Sequence, residues 1–165
     1  MQTAEIAPIL TLLFAELADG ASPQGAFMLN SGDIGLLRSL DVLSAAEASQ
    51  SSDEGATIAA HAEHLRYGLS LMNRWARDGG NPFADATWDV AWRTSRVDDA
   101  RWNEIREGLR AEVKQWREAL AEPRDVEPIA LTGMVGSIAH FAYHLGAIRQ
   151  VTKRGRGPKE ATVSS

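Results

Sequence analysis

Four stretches of this chain repeat apolar residues every three or four positions, and no stretch alternates apolar with polar. Ile6, Ile9, Leu10, Leu13, Phe14 and Leu17 mark the first, and Ile58, Ala62, Leu65, Leu69 and Met72 the second. The third runs through Trp102, Ile105, Leu109, Val113, Trp116 and Leu120, and the fourth through Met134, Ile138, Phe141, Leu145 and Ile148. Such spacing lays one apolar stripe along a helix, whereas a half-buried strand needs alternation. The chain is therefore expected to be all-α. Helices are expected near residues 4–19, 54–78, 98–121 and 129–151, packed antiparallel around one core as a four-helix bundle with a long connection between the first two.

Local signals set the ends. Pro8 falls in the first turns of the first helix and Gly20 lies just past it, Gly79 and Gly80 close the second, and Asp98 and Asp99 open the third where the helix dipole favours negative charge. Pro123 and Pro128 bound the last turn. Between residues 21 and 52 the apolar residues lose a clean period, which leaves one or two short helices, one opened by a capping box of Ser44 and Glu47. The segment "NPFADATWDVAWRTS" has scattered aromatics and no period, and reads as a loop that packs Phe83, Trp88 and Trp92 against the body.

At 165 residues and 44% hydrophobic, the chain suits a single domain over residues 1–152. The remainder, 153–165, carries Lys153, Arg154, Arg156 and Lys159 among glycines and reads as a flexible, solvated tail. No run approaches the roughly 18 apolar residues of a membrane helix, and "MQTAEIAP" lacks the basic and apolar parts of a signal peptide, so a soluble cytoplasmic protein without a membrane partner is expected. A net charge of −5 weighs against nucleic acid as a partner. With no cysteine, disulfides, zinc-thiolate sites and a cysteine nucleophile are excluded, which leaves His, Asp and Glu as metal ligands.

The four histidines fall in two pairs, His61 with His64 and His140 with His144. Residues four apart on a helix differ by about 40° around its axis, so His140 and His144 project from one face a turn apart, as chelation requires. A zinc protease needs Glu directly after the first His, where Phe141 stands, and a di-iron centre needs Glu three positions before each His, which is absent. A mononuclear site completed by the second helix remains. His61 falls within that helix's apolar stripe and His64 at its edge, which slightly favours His64, though helical phase leaves both open. Glu63 points away from the stripe, as a surface residue and not a general base.

"ATIAAHAEHLRYGLSLMNRW" followed by "SIAHFAYHLGAIRQ" resembles the DinB-like superfamily, the YfiT-type four-helix bundles related to bacillithiol and mycothiol S-transferases. The resemblance covers nearly the whole chain. It implies a divalent metal, zinc or nickel, bound by His140, His144 and the second-helix His that precedes Leu, which is His64, with His61 an additional residue near the metal. Many members carry Gln three positions after the last ligand. Ala147 stands there, and Gln150 points to another face.

The resemblance further implies that the metal holds a low-molecular-weight thiol as thiolate for an electrophile, or activates water, with no catalytic residue beyond the ligands. Homodimers are common in the family. The competing expectation is a non-catalytic, stress-related metal-binding protein that acts through oligomerisation. An enzyme should have a pocket beside the metal, and a binding protein a closed site.

Overall fold

A computed structural model describes residues 2–22, 25–51 and 55–152, and the expected tail at 153–165 lies outside them. The described residues form seven helices and no strand: α1 (Ala7–Asp19), α2 (Leu36–Asp41), α3 (Ala45–Ala48), α4 (Ile58–Asp78), α5 (Trp88–Trp92), α6 (Asp99–Ala121) and α7 (Pro128–Val151). The fold is all-helical.

Each long helix forms where its stripe meets suitable ends. Pro8 sits in the first turn of α1, where a missing N–H costs nothing, and Gly20 ends the helix with a φ of 116°. Thr57 caps α4 by accepting the Ala60 N–H, so the helix starts later than residue 54. Asp98 caps α6 through the Arg101 N–H. The capping box of Ser44 and Glu47 opens α3.

The stripes meet in one core. All six stripe residues of α6 and all five of α7 are buried, and Phe14 of α1 meets Phe141 of α7 edge-on with ring centroids 5.0 Å apart. Fully burying one such aliphatic side chain contributes about 1.5–3 kcal/mol. Trp116 is buried on α6 and its indole N–H donates to Ser137 Oγ on α7, which satisfies the one polar atom the ring carries. Ile9, by contrast, is 55% exposed, because it stands about 100° around the helix from its buried neighbour Leu10.

Helix directions differ from the expected antiparallel set. Near its start α4 meets the start of α6 through Glu63 and Arg101, and near its end the Ala76 carbonyl accepts from Arg124, just past the end of α6. These two helices therefore run parallel. The 20 residues from 79 to 98 that join them make this possible, since about 3.3 Å per extended residue is ample to return along a helix. In contrast, α7 runs antiparallel to α4, so that His144 meets His61 and Gly133 lies opposite Met72.

The connection from α1 to α4 is held at several points. Buried Glu16 accepts the backbone N–H groups of Phe27, Met28 and Leu29, and Arg149 at the end of α7 donates to Asp33 and to the Ile34 carbonyl. Gly35 crosses the end of α1 so closely that a Cβ there would lie 2.4 Å from the Ala18 carbonyl carbon.

Candidate metal centre

The antiparallel seam between α4 and α7 brings all four histidines together. His140 Nε2 lies 3.1 Å from His64 Nε2 and 3.2 Å from His144 Nε2. One ring nitrogen from each of His64, His140 and His144 lies within 4.8 Å of the other two, close enough to hold one metal ion. His61 stands behind them, its Nδ1 2.8 Å from Nδ1 of His144. Helical phase left His61 and His64 open; the three-dimensional arrangement gives the convergent position to His64.

The donor set suits a cation better than it suits mutual hydrogen bonding. A neutral imidazole nitrogen either donates one proton or offers one lone pair. His140 Nε2 faces two partners, so in either tautomer one proton or one lone pair must serve both. A cation at the focus takes all three lone pairs. Two nitrogens bound tetrahedrally at 2.0–2.1 Å lie about 3.3 Å apart, and the observed separations of 3.1 and 3.2 Å approach that value.

The contact with His61 bears on which nitrogen of His144 is free to coordinate. If His144 presents Nε2, its Nδ1 carries the proton and donates to Nδ1 of His61, which then bears its own proton on Nε2. His61 is thus the group behind the ligand. Gln150, the one glutamine near the end of α7, is exposed. Nδ1 of His64 is buried without a partner among the described residues, an unusual state for a polar atom outside a functional site.

Burial keeps the rings neutral. His64 is pushed down to about 4, first by burial and then by the neighbouring charges of His140 and His61. His144 falls to about 3, again first by burial, with His140, His61 and His64 adding to it. Burial also lowers His61 and His140. At neutral pH every ring therefore keeps its lone pair, and the site has no proton to displace.

Two tryptophans complete the surroundings, and they lie where a loop was expected. Residues 88–92 form the short helix α5, with Asp89 in its first turn paired to Arg93 one turn on. Its flanks are tied to α4: Tyr67 Oη accepts the Thr87 N–H at 2.8 Å, and Thr57 Oγ1 donates to the Thr94 carbonyl at 3.2 Å. Trp88 and Trp92 consequently face the histidines. The Trp92 ring stacks on His64 with centroids 4.2 Å apart and planes 25° from parallel, while Trp88 lies 5.3 Å from the same ring. Five residues are too few to show a helical period, but the i, i+4 spacing of the two indoles carried the signal.

His140 is the exposed member of the three, and beside it a cavity of about 470 Å³ opens between α4 and α7. His64 and His140 form one end of it. Glu63, expected at the surface, is instead buried against Arg66 and Arg101, which occupy both carboxylate oxygens. Its side chain points away from the histidines, towards a face that α6 covers through Arg101. No helix among the described residues is long and apolar enough to cross a membrane. Comparison of the chain with protein-family models, curated proteins and solved structures finds no match.

Proposed function

We propose that the protein is a divalent-metal-dependent enzyme of the DinB-like type, a bundle of α1, α4, α6 and α7 that activates a low-molecular-weight thiol, or water, at His64, His140 and His144. The observation that carries this reading is the cavity that opens directly beside His64 and His140. A protein that only stored or sensed metal through oligomerisation has no need of such a space, and a closed site would serve it better. Three neutral imidazoles without a carboxylate or thiolate suit zinc or nickel.

When bound, the divalent ion supplies Lewis acidity that lets a thiol or water ionise near neutral pH. The chain's own residues do the rest. His64, His140 and His144 offer neutral lone pairs, His61 holds the His144 proton on Nδ1, and Trp92 covers the His64 ring against water. For thiol transfer the balance is simple: sulfur forms a bond to the electrophilic carbon, the leaving group departs with the former bonding pair, and the thiol proton passes to solvent. No carboxylate base enters this scheme, which agrees with Glu63 being held by two arginines.

Protein purified without an affinity tag, loaded with zinc or nickel and incubated with a panel of thiols and a chromogenic electrophile, should turn over faster than His144→Ala. Equal rates for both proteins with every thiol that binds the metal would favour the non-catalytic reading. Pairing of two copies belongs to the same proposal, and sedimentation of the metal-loaded protein tests it.

A further inference from the structure

The cavity has a chemical character of its own. Along α4 it runs from His64 to Met72, eight residues or about 12 Å of helix. Its breadth comes from missing side chains: Gly68 of α4 and Gly133 and Gly136 of α7 all line it. A Cβ on Gly136 would meet nothing within 4 Å. Phe83 and Trp88 stand over the space, half-exposed, with ring centroids 5.9 Å apart.

Among the described residues no charged side chain lines this space, and apart from the two histidines at its end the lining side chains offer two polar groups, the Trp88 indole N–H and Ser137 Oγ. Ser137 Oγ is already engaged, donating to the Met134 carbonyl and accepting the Trp116 N–H. A charged or strongly hydrated ligand would lose its water here and gain at most one neutral donor, the Trp88 N–H, and no counter-charge. A neutral apolar one would lose nothing and bury its surface against Leu65, Leu69, Phe83 and Trp88.

We propose that this slot binds a neutral, predominantly apolar organic molecule with an aromatic or slender body up to about 12 Å long, and that Gly136 sets its width. Resting on the function proposed above, this occupant is the electrophile. The polar thiol approaches instead over the exposed edge of His140. The cavity volume of about 470 Å³ lies within the range of small-molecule sites. Binding in the slot needs no metal, because the apolar walls lie beyond the histidines.

Two probes that differ by one charge test the idea on the full chain. N-phenyl-1-naphthylamine is neutral, and 8-anilinonaphthalene-1-sulfonate carries the same rings with a sulfonate; both fluoresce more strongly in apolar surroundings. The neutral probe is expected to bind at least tenfold more tightly, with or without zinc. Gly136→Leu should weaken it at least tenfold and Gly136→Ala by less, while helicity and zinc affinity hold, since replacing a helix-interior glycine with open space around it favours the helix. Gly146→Leu, on the same helix and outside the slot, should change nothing. His144→Ala should lose zinc and keep the probe. Equal affinity for the two probes, absence of neutral-probe binding, or unchanged binding in both Gly136 variants would overturn the proposal. Failure of zinc to bind the parent protein would count against the metal reading and leave the slot standing.

Discussion

Acidifying the metal-free protein should unfold it through its buried histidines. In the unfolded chain each imidazole titrates near 6.5, whereas in the fold His64 is held down to about 4 and His144 to about 3. Between these values the unfolded state binds more protons than the folded one, so stability rises with pH across the window. The contribution is fully present above pH 6.5 and is lost progressively as pH falls towards the folded values. From pH 7 to pH 5 each of the two groups should cost about 2 kcal/mol, at 1.36 kcal/mol per unit, or about 4 kcal/mol together. His61 and His140, also lowered by burial, act in the same direction. Against a typical total of about 5–15 kcal/mol this is a large loss. Glu16 does not confuse the window: burial works to raise its carboxyl, but the N–H groups of Phe27, Leu29 and Met28 outweigh it and hold the group low, so it titrates at more acid pH. The assay is urea unfolding in the presence of a chelator at pH 7 and pH 5, for the parent and for His144→Asn. The variant should lose about half as much of this stability. Equal losses in the two proteins, or a loss under about 1 kcal/mol in the parent, would refute the claim that burial holds these rings neutral.

Other outcomes follow from single contacts. Zinc titration should show His64→Ala, His140→Ala and His144→Ala equally crippled, and His61→Ala weakened by about 10 to 100-fold, the usual cost of losing the group behind a ligand; the reverse order for His61 and His64 would reverse their roles. Leu109→Ala or Ile138→Ala should each cost about 2 to 5 kcal/mol by urea unfolding, because both side chains are buried in the shared core. Gly35→Ala should be worse than either, since the new methyl group would lie 2.4 Å from backbone atoms of Ala18 that cannot move without displacing the end of α1; a variant with parental thermal stability would contradict the close crossing.

The most legible parts of the sequence were those governed by local periodicity. Every residue of the α6 and α7 stripes is buried, and the cap at Asp98 and the box at Ser44 and Glu47 lie where their side-chain types place them. The pairing of His140 and His144 was equally plain, because helical geometry alone sets it. What escaped was non-local. Glu63 looked solvent-facing from α4, and only the approach of Arg101 on α6 buries it. The parallel course of α4 and α6 depends on where a 20-residue connection goes, which periodicity does not encode. The flanks of the short helix α5 are tied by hydrogen bonds to residues distant in sequence, the Thr87 N–H to Tyr67 Oη of α4 and the Thr94 carbonyl to Thr57 Oγ1 at the cap of α4. Choosing between His61 and His64 likewise required the partner helix, since both rings, about 60° apart around α4, reach the seam and only the position of His140 and His144 shows which one converges.

The hollow between α4 and α7 also bears on motion. Side chains that line an open space lack packing partners on one side, and α7 carries Gly133, Gly136 and Gly146 within a single helix. Each glycine weakens the helix by about 0.5–1 kcal/mol relative to alanine. The helix that supplies two of the three imidazoles is therefore the one least able to hold itself closed, and its amides near the cavity should exchange with solvent faster than those of α6. A metal at its histidines and an apolar molecule in the slot would each quiet the same fluctuations. Whichever binds first relieves the second of part of the ordering cost, so the two should strengthen each other's binding without any shift in the average structure. Slower exchange along α7 with both present than with either one is the signature to seek.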